Sequence, residues 1–216
     1  MPNLKTIQRI TEGGLVPVVR AASAEEAISI VEAIKAGGVT TIEITMTVPG
    51  AIRVMEKVAD RYGKDVLLGA GTVLDPETAR AVILAGAEFV VTPSLKTATI
   101  ELCKRYSKVV IPGALTPTEV VTAWEAGADF VKIFPCDNVG GAKYIKALKG
   151  PFPQIEFIPT GGVNIHTAAD FIAAGSAALA VGSELVDKAA VASKNFAKIT
   201  ENAGGFLEVI RTARGK

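Results

Sequence analysis

Four Ala-Gly pairs, each followed at once by a short apolar run, constrain the fold of this chain more than any other feature. The pairs fall at residues 36–38, 85–87, 126–128 and 174–176, together with one neighbouring small residue. Glycine just past the last residue of a helix is a common stop signal, so each pair predicts a helix that ends before a strand. Successive pairs are 49, 41 and 48 residues apart, which is too long for one strand–helix unit and suits two.

A second set of apolar runs lies between the four that follow the Ala-Gly pairs. The eight predicted strands cover residues 15–20, 40–45, 66–72, 88–93, 109–115, 129–134, 156–162 and 177–182. Near-continuous Val, Ile and Leu runs are typical of parallel strands that are buried on both faces. Eight strand–helix units in 216 residues, or 27 residues per unit, favour an α/β fold of the closed (β/α)8 or TIM-barrel type. An open doubly wound sheet is the alternative, but the Gly-x-Gly-x-x-Gly fingerprint of its dinucleotide-binding forms is absent.

The regions outside the eight units are predicted to be helical. Residues 3–12 indicate a short N-terminal helix, and residues 187–212 indicate two further helical pieces broken at Gly204-Gly205. There is no linker-like or low-complexity stretch, so we predict a single domain over residues 1–216.

Composition excludes several classes of function. The chain is 49% hydrophobic and 21% charged with a formal net charge of +1, which is typical of a globular protein and offers no broad basic surface for nucleic acid. The longest uncharged stretches are 13 residues, too short to cross a membrane, and the first residues contain no apolar signal core. Two cysteines provide neither a disulfide framework nor a four-ligand zinc site. We therefore expect a cytoplasmic protein with free thiols.

Three charged residues stand where a buried strand should be apolar. Arg20, Glu43 and Lys132 lie inside or at the carboxyl end of predicted strands. A buried charge costs several kcal/mol unless it is paired or its pKa shifts. In a barrel the carboxyl ends of the strands meet at one mouth, where barrel enzymes place their active sites.

The alternation of side chains along a strand assigns these charges to the barrel interior. Every second residue shares a face. In the run 129–134 the polar face carries Phe130, Lys132 and Phe134, and in the run that begins at residue 40 it carries Glu43, Thr45 and Thr47. The aliphatic residues between them are predicted to face the helices.

A lysine held among apolar residues has a particular chemistry. Burial disfavours the ammonium form, so the pKa of Lys132 is expected to fall, and a neutral amine can attack a carbonyl group to form a Schiff base. The accompanying proton transfers need an acid or base, for which Glu43 is the candidate. A structural ion pair between Lys132 and Glu43 is the alternative at this point.

Glycines follow the last two strands of the predicted barrel. Gly161 and Gly162 come after the seventh strand, and Gly182 and Ser183 come after the eighth. Many barrels bind phosphate through backbone N–H groups at these two positions, although tight turns alone would also require glycine. Thr72 shares a strand face with Leu68 and Ala70, and we predict that its hydroxyl reaches the mouth.

Seven stretches of this chain, taken together and in order, resemble the class I 2-keto-3-deoxy-6-phosphogluconate / 2-keto-4-hydroxyglutarate aldolase family. They are GGVTTIEITMTVPGA (37–51), GAGTV (69–73), GAEFVVTP (86–93), IPGALTPTE (111–119), FVKIFP (130–135), KGPFPQIEFIPTGGV (149–163) and VGSELV (181–186). The resemblance implies a (β/α)8 barrel that is commonly trimeric, acts on a small 2-keto acid or sugar-acid phosphate and uses no metal or organic cofactor.

The resemblance also implies roles for individual residues. It makes Lys132 the Schiff-base lysine and Glu43 the acid/base that moves protons through a water molecule. It places Thr72, Pro93, Phe134 and Thr160 around the pyruvate-derived end of the substrate, and Gly161, Gly162, Gly182 and Ser183 around its phosphate. Retro-aldol cleavage would release an aldehyde, and protonation of the remaining enamine would give pyruvate.

One position departs from the family pattern. Well-known members carry an arginine four residues after the glutamate, where it binds the substrate carboxylate, whereas this chain has Thr47. We hypothesise that Arg20, on the adjacent strand, supplies the missing charge, because an arginine binds a carboxylate more strongly than a hydroxyl does.

Two other functions fit the same residues. One is a phosphate-binding isomerase or epimerase in which Lys132 and Glu43 act as an acid/base pair without covalent chemistry. The other is a barrel that binds metabolites without catalysis. The preferred sugar acid, whether gluconate-derived, galactonate-derived or the unphosphorylated hydroxyglutarate, is left open by the sequence.

Overall fold

Parallel strands alternate with helices along the computed structural model, which describes residues 2–215. The strands are β1 (Leu15–Val19), β2 (Thr41–Thr45), β3 (Leu67–Gly71), β4 (Phe89–Val91), β5 (Val109–Ile111), β6 (Gly113–Ala114), β7 (Val131–Ile133), β8 (Phe157–Pro159) and β9 (Leu179–Val181). Each of the eight predicted strand regions contains an observed strand, and the fifth region contains two. The strand prediction is therefore confirmed, with the observed strands shorter than the apolar runs.

The helices follow the strands in the order that βαβ units require. They are α1 (Pro2–Gly13), α2 (Ala24–Ala36), α3 (Ala51–Tyr62), α4 (Pro76–Leu84), α5 (Thr97–Arg105), α6 (Pro117–Glu125), α7 (Ala142–Lys149), α8 (Ala168–Ala173), α9 (Lys188–Ala192) and α10 (Phe196–Ala213). Short 3-10 turns cover Gly63–Asp65 and Asp137–Val139. Several helices begin at a residue whose side chain accepts a backbone N–H, as Asp75 does for Thr78 before α4.

The strands pair in two parallel groups. One is a six-stranded sheet in the order β5-β4-β3-β2-β1-β9, and the other is a three-stranded sheet in the order β6-β7-β8. Pro112 alone separates β5 from β6, and proline has no N–H to donate to a neighbouring strand. A single bridge between Thr160 and Ala180 lies just past the end of β8 and joins it to β9. The structure thus confirms the α/β class with parallel sheets.

The side chains of the strands pack into two apolar clusters. An inner cluster contains residues such as Phe89, Val109 and Phe130, and a larger outer cluster includes Ile42 and Ile44 together with the buried faces of the helices. Alternate residues of a strand fall into different clusters. The predicted assignment of polar positions to one face and aliphatic positions to the other is therefore confirmed for β2 and β7.

The Ala-Gly pairs end helices as predicted. Gly86, Gly127 and Gly175 follow α4, α6 and α8 with φ angles of 100°, 93° and 96°, a region that residues with a side chain rarely adopt. In the first repeat it is Gly38, with φ 90°, that takes this conformation. Gly37 has an ordinary φ of −76° and serves a different purpose.

The predicted break at Gly204-Gly205 is wrong, since α10 runs unbroken through both residues. The helical region is interrupted earlier, at residues 193–195, where Lys194 has a φ of 56°. A Cβ atom on Gly37 would lie 2.6 Å from the carbonyl oxygen of Thr200 and 3.3 Å from the backbone nitrogen of Gly204. The end of α2 therefore packs closely on α10, and the roughly 1 kcal/mol that a glycine costs in a helix does not interrupt α10.

Within residues 2–215, no helix is both long and apolar enough to pass through a membrane.

Candidate active site

Glu43 and Lys132 occupy inner positions on β2 and β7 and are almost completely buried. Glu43 is 1% exposed and pairs in register with Val18 of β1 and Gly69 of β3. Lys132 is 4% exposed and pairs with Gly113 and Ile158. Both charges are therefore surrounded by strands rather than by solvent.

No fixed partner neutralises either group. None of the ion pairs among the described residues includes Lys132 or Glu43. Both carboxyl oxygens of Glu43 are buried without a hydrogen-bond partner. A close structural ion pair, the alternative raised by the sequence, is thus not what this structure contains.

Burial dominates the ionisation of both groups. It raises the pKa of Glu43, against the opposing charges of Lys132 and Arg20. It lowers the pKa of Lys132, where the charge of Glu43 opposes the shift and that of Arg20 adds to it. The site therefore favours a neutral amine and can hold a proton on the acid, as proton transfer to and from an amine-bound intermediate requires.

The position of Glu43 depends on a missing side chain on the neighbouring strand. Gly71 lies at the end of β3, and a Cβ atom there would overlap the carboxyl group of Glu43. Gly69 in the same strand leaves room in the same way for the ring of Phe89. Side chains from β2 and β4 therefore occupy the space beside the glycines of β3.

Two further predicted residues surround Lys132. Its Nζ lies 5.1 Å from the centroid of the Phe134 ring. Pro93 follows β4, and its backbone packs against Gly113, the residue in register with Lys132. The hydroxyl of Thr92 fixes this turn by donating to the carbonyl of Ser94 and accepting the N–H of Gly113.

Strand alternation does not place Thr72 at the mouth, contrary to the prediction. Leu68 and Ala70, which share its strand face, belong to the outer cluster beneath the helices. Thr72 lies one residue beyond β3 with a φ of 56°, so the chain turns at this residue and the alternation no longer fixes its direction. Only the resemblance supports a role for Thr72.

A cavity of about 350 Å³ lies at the carboxyl ends of β1, β7, β8 and β9. Seven of the predicted site residues line it: Arg20, Phe134, Thr160, Gly161, Gly162, Gly182 and Ser183. Phe134 contacts both the cavity and Lys132, so the amine lies one side chain from the cavity. The structure therefore brings the predicted glycine turns and the predicted amine to one end of the strands.

The glycine turns offer free hydrogen-bond donors to this cavity. Gly161 and Gly162 have φ angles of 95° and 71°. Within the described chain, the N–H groups of Gly162 and Val163 donate no hydrogen bond. After β9 the N–H groups of Ser183 and Glu184 also donate no hydrogen bond among the described residues. The carbonyl of Gly182 accepts from residues 185 and 186. Free backbone N–H groups of this kind are suited to binding an anion.

Arg20 lies near the turn after β9, and its charge also acts on Glu43 and Lys132. Its Nη1 lies 3.7 Å from the point where a Cβ of Gly182 would be, on the β9 side of the cavity. Thr47 is 2.6 Å from Thr45 between hydroxyl oxygens, and Thr45 also lies 3.1 Å from the carbonyl of Val19. Since a carbonyl can only accept, Thr45 donates to Val19 and Thr47 donates to Thr45. The hydroxyl proton of Thr47 is thus engaged in a hydrogen bond to Thr45 and is not free to bind a substrate carboxylate.

Three charged residues near the cavity were missed in the sequence. Asp137 and Glu184 line the cavity, and Lys188 lines a recess beside it. The carboxyl group of Asp137 lies against the first glycine turn, where a Cβ on Gly161 would be 2.9 Å from Oδ1. The position of Asp137 shortly after β7 was a usable signal. Lys188 belongs to a helical segment and gave none.

The residues present include no evident cation site. No group of three or more His, Cys, Asp or Glu side chains among residues 2–215 is arranged to hold a metal ion.

A parallel α/β fold with a buried amine and a buried acid near one cavity at the strand ends is the architecture of a lysine-dependent aldolase. The model of the KDPG and KHG aldolase family matches residues 6–202. This chain belongs to that family.

Individual relatives agree with this assignment. The chain is 34% identical to the 2-dehydro-3-deoxy-phosphogluconate aldolase of Haemophilus influenzae, over 95% of this chain and 96% of the relative. It is 35% identical to the 2-dehydro-3-deoxy-6-phosphogalactonate aldolase of Escherichia coli, over 92% and 95%. A crystal structure of the KDPG aldolase from Legionella pneumophila, with pyruvate captured as a covalent carbinolamine, superposes with a TM-score of 0.86. That match has 30% identity and covers 93% of this chain and 97% of the other.

Proposed function

We propose that this protein cleaves 2-keto-3-deoxy sugar-acid phosphates to pyruvate and an aldehyde through a Schiff base on Lys132. The observation that carries the proposal is a buried amine without an ion-pair partner, one side chain away from a cavity whose turns present free N–H groups. The captured carbinolamine of the Legionella relative supports the same chemistry.

The reaction follows from the two buried groups. The neutral amine of Lys132 attacks the 2-keto carbon and gives a carbinolamine, which loses water to form the Schiff base. The C3–C4 bond then breaks as the C4 hydroxyl loses its proton, so the aldehyde leaves and an enamine stays on the lysine. The enamine takes a proton at C3, and water releases pyruvate and the free amine. Glu43 donates and accepts these protons through a water molecule, for which its partnerless oxygens are available.

The remaining predicted residues surround this centre. We assign Thr72, Pro93, Phe134 and Thr160 to the pyruvate-derived end, on the resemblance and on the contact of Phe134 with Lys132. We assign Gly161, Gly162, Gly182 and Ser183 to the phosphate end, on their place around the cavity. Arg20 binds substrate at the Gly182 side, which favours the phosphate over the carboxylate. Thr47 binds the carboxylate only if its hydroxyl turns away from Thr45.

We also propose that the two sheets form one closed eight-stranded barrel in a single domain over residues 1–216. The interruption of only one residue between β5 and β6 supports closure on one side, and the Thr160–Ala180 bridge supports it on the other. In this arrangement β5 and β6 count as one strand, which is bent at Pro112.

The assembly and location are proposals of the same kind. We propose a homotrimer, as the resemblance implies, and the 44% exposure of Trp124 is consistent with a covered surface. We propose a cytoplasmic location, which the two free thiols Cys103 and Cys136 support. The substrate is a small molecule and no nucleic acid or membrane takes part.

Reduction with borohydride in the presence of pyruvate tests the mechanism directly. It is expected to add a stable mass to the wild-type protein at Lys132 and none to the Lys132→Ala variant. A folded, active wild-type protein that traps no adduct would contradict the Schiff-base mechanism. Substantial turnover by Lys132→Ala would instead support acid/base chemistry of the isomerase or epimerase type.

A further inference from the structure

We propose that Lys188 is a specificity-determining residue that, together with Arg20, binds the substrate phosphate at the turn after β9. Lys188 would thereby select phosphorylated over unphosphorylated 2-keto acids. This inference rests on the proposed aldolase function and adds to it a residue and a substrate class.

Lys188 and Arg20 line the same small recess. The recess holds about 70 Å³ and is lined by Val18, Arg20, Gly182, Ser183, Val186 and Lys188. Val18, Arg20, Gly182 and Ser183 also line the main cavity. The recess therefore lies beside that cavity, and Arg20, Gly182 and Ser183 contact both.

Two cations and no carboxylate line the recess. Neither Arg20 nor Lys188 takes part in an ion pair among residues 2–215. Glu26 lines a groove on the outer side of the same two cations, but its carboxylate accepts the N–H of Ala22 at 2.6 Å. An anion bound in the recess would be attracted by both cations.

The two glycine turns of the site differ in their electrostatic surroundings. The turn at Gly161 lies against the carboxylate of Asp137, which weakens the attraction of this turn for a phosphate dianion. The turn at Gly182 lies against the guanidinium of Arg20. Glu184 lines the main cavity but not the recess. The positive charge at the phosphate end therefore lies on its β9 side, where the hydroxyl and N–H of Ser183 can donate alongside the free N–H groups of the Gly161 turn.

The side chains define the chemical preference of this corner. A lysine ammonium is a compact charge with three donors and suits a phosphate at the end of a flexible chain. An unphosphorylated substrate such as 2-keto-4-hydroxyglutarate ends in a single carboxylate, with less charge to place in the recess. Lys188 therefore contributes more to binding of the phosphorylated substrate.

The test compares two substrates in the Lys188→Gln variant. We expect kcat/KM for 2-keto-3-deoxy-6-phosphogluconate to fall relative to that for 2-keto-4-hydroxyglutarate by about tenfold, through KM, because one hydrogen bond to a charged group is lost. Inhibition by inorganic phosphate should weaken in parallel. Lys188→Arg, which keeps the charge, should restore most of the preference. Lys57→Gln, on the exposed surface of α3, is the matched control for the loss of one positive charge.

The outcomes separate this inference from the proposed function. If the wild-type protein traps pyruvate and prefers the phosphorylated substrate, an unchanged preference in Lys188→Gln overturns the role of Lys188. An equal change in Lys57→Gln also overturns it, because the effect would then come from net charge. If the wild-type protein traps no pyruvate, the aldolase mechanism itself fails, whatever Lys188 does.

Discussion

Charged side chains at the amino ends of the strands are held by fixed partners. Arg214 donates hydrogen bonds to the carbonyls of Thr11, Glu12 and Ala177 at 2.6–3.1 Å. Just before β7, Asp129 accepts from Lys104 at 2.7 Å and from a backbone N–H of β5 at 2.9 Å. Polar groups that are satisfied in this way stabilise the folded chain.

The middle of β2 and of β7 shows the opposite arrangement. Glu43 and Lys132 are more deeply buried than Arg214 or Lys104, yet neither has an ion-pair partner among the described residues. A buried polar group without a partner costs stability. The comparison shows that charge stabilises the amino ends of the strands, whereas the charges in the middle of β2 and β7 stay available for a substrate.

The largest expected effect is that of Lys132→Met. Activity should fall below about one ten-thousandth of wild type, as measured by pyruvate release, because the nucleophile is lost. The free energy of unfolding should rise by about 1 kcal/mol, or 2–4 °C in Tm. Keeping an amine buried costs free energy because the amine would be protonated in water, and methionine has no such cost. The sign of this change follows from the lowered pKa of Lys132. As the pH falls below 10.5, the unfolded chain binds a proton at this lysine before the folded protein does, and this difference destabilises the folded protein.

Lys104→Met is the matched control at the amino end. It removes the partner of Asp129, whose side chain is only 8% exposed, so Tm should fall while activity is retained. A fall in Tm for both variants would mean that Lys132, like Lys104, stabilises the folded protein, and the two regions would not differ.

Glu43→Gln is expected to lower kcat by about 10²- to 10⁴-fold, since the acid/base that moves protons is lost. Trapping of pyruvate by borohydride should persist, because Lys132 is intact. Glu88→Gln, which alters the ion pair with Lys108 at the amino end, should leave kcat unchanged. Equal losses of kcat in both variants would remove the distinction between Glu43 and the charged residues at the amino ends.

Arg214→Ala should change stability and leave catalysis alone. Three carbonyls lose their donor, which should cost about 1–2 kcal/mol once partial exposure is considered, measured by thermal or urea unfolding. Arg211→Ala, in an exposed pair with Glu208, should cost less than about 0.5 kcal/mol. A large loss of kcat in folded Arg214→Ala would show that the amino end also serves the reaction.

The smallest expected effect is on the pH dependence of trapping. The reactive species is the neutral amine, so the trapping rate with pyruvate rises as the pH increases through the pKa of Lys132. Arg20 helps to lower that pKa, so Arg20→Ala should move the rise to higher pH. Glu43 opposes the lowering, so Glu43→Gln should move it to lower pH. Displacements of the same sign would contradict the electrostatic description of the site.

The sequence predicted those parts of the molecule that local patterns control. Alternation along β2 and β7 correctly placed Glu43 and Lys132 on one face, because a strand has a fixed period of two residues. The same argument failed for Thr72, because β3 ends one residue earlier and the chain turns. The predicted break at Gly204-Gly205 is wrong because the packing of α10 on the end of α2, some 170 residues away in the chain, leaves no local signal.

The position of long side chains was the hardest feature to predict. Arg20 was correctly expected at the end of β1, but which of its neighbours it contacts depends on the turn after β9. Lys188 lies in a segment where an exposed lysine is ordinary. Its place beside Arg20 follows only from the assembled fold.

Gly71 has a consequence for attempts to redesign this protein. The acid stands in space that a neighbouring strand leaves empty, so its orientation can be changed without altering any reactive group. A single methyl group at Gly71 would displace the carboxyl group of Glu43. The proton donor can therefore be moved relative to the substrate by changing a residue of β3 that carries no reactive group.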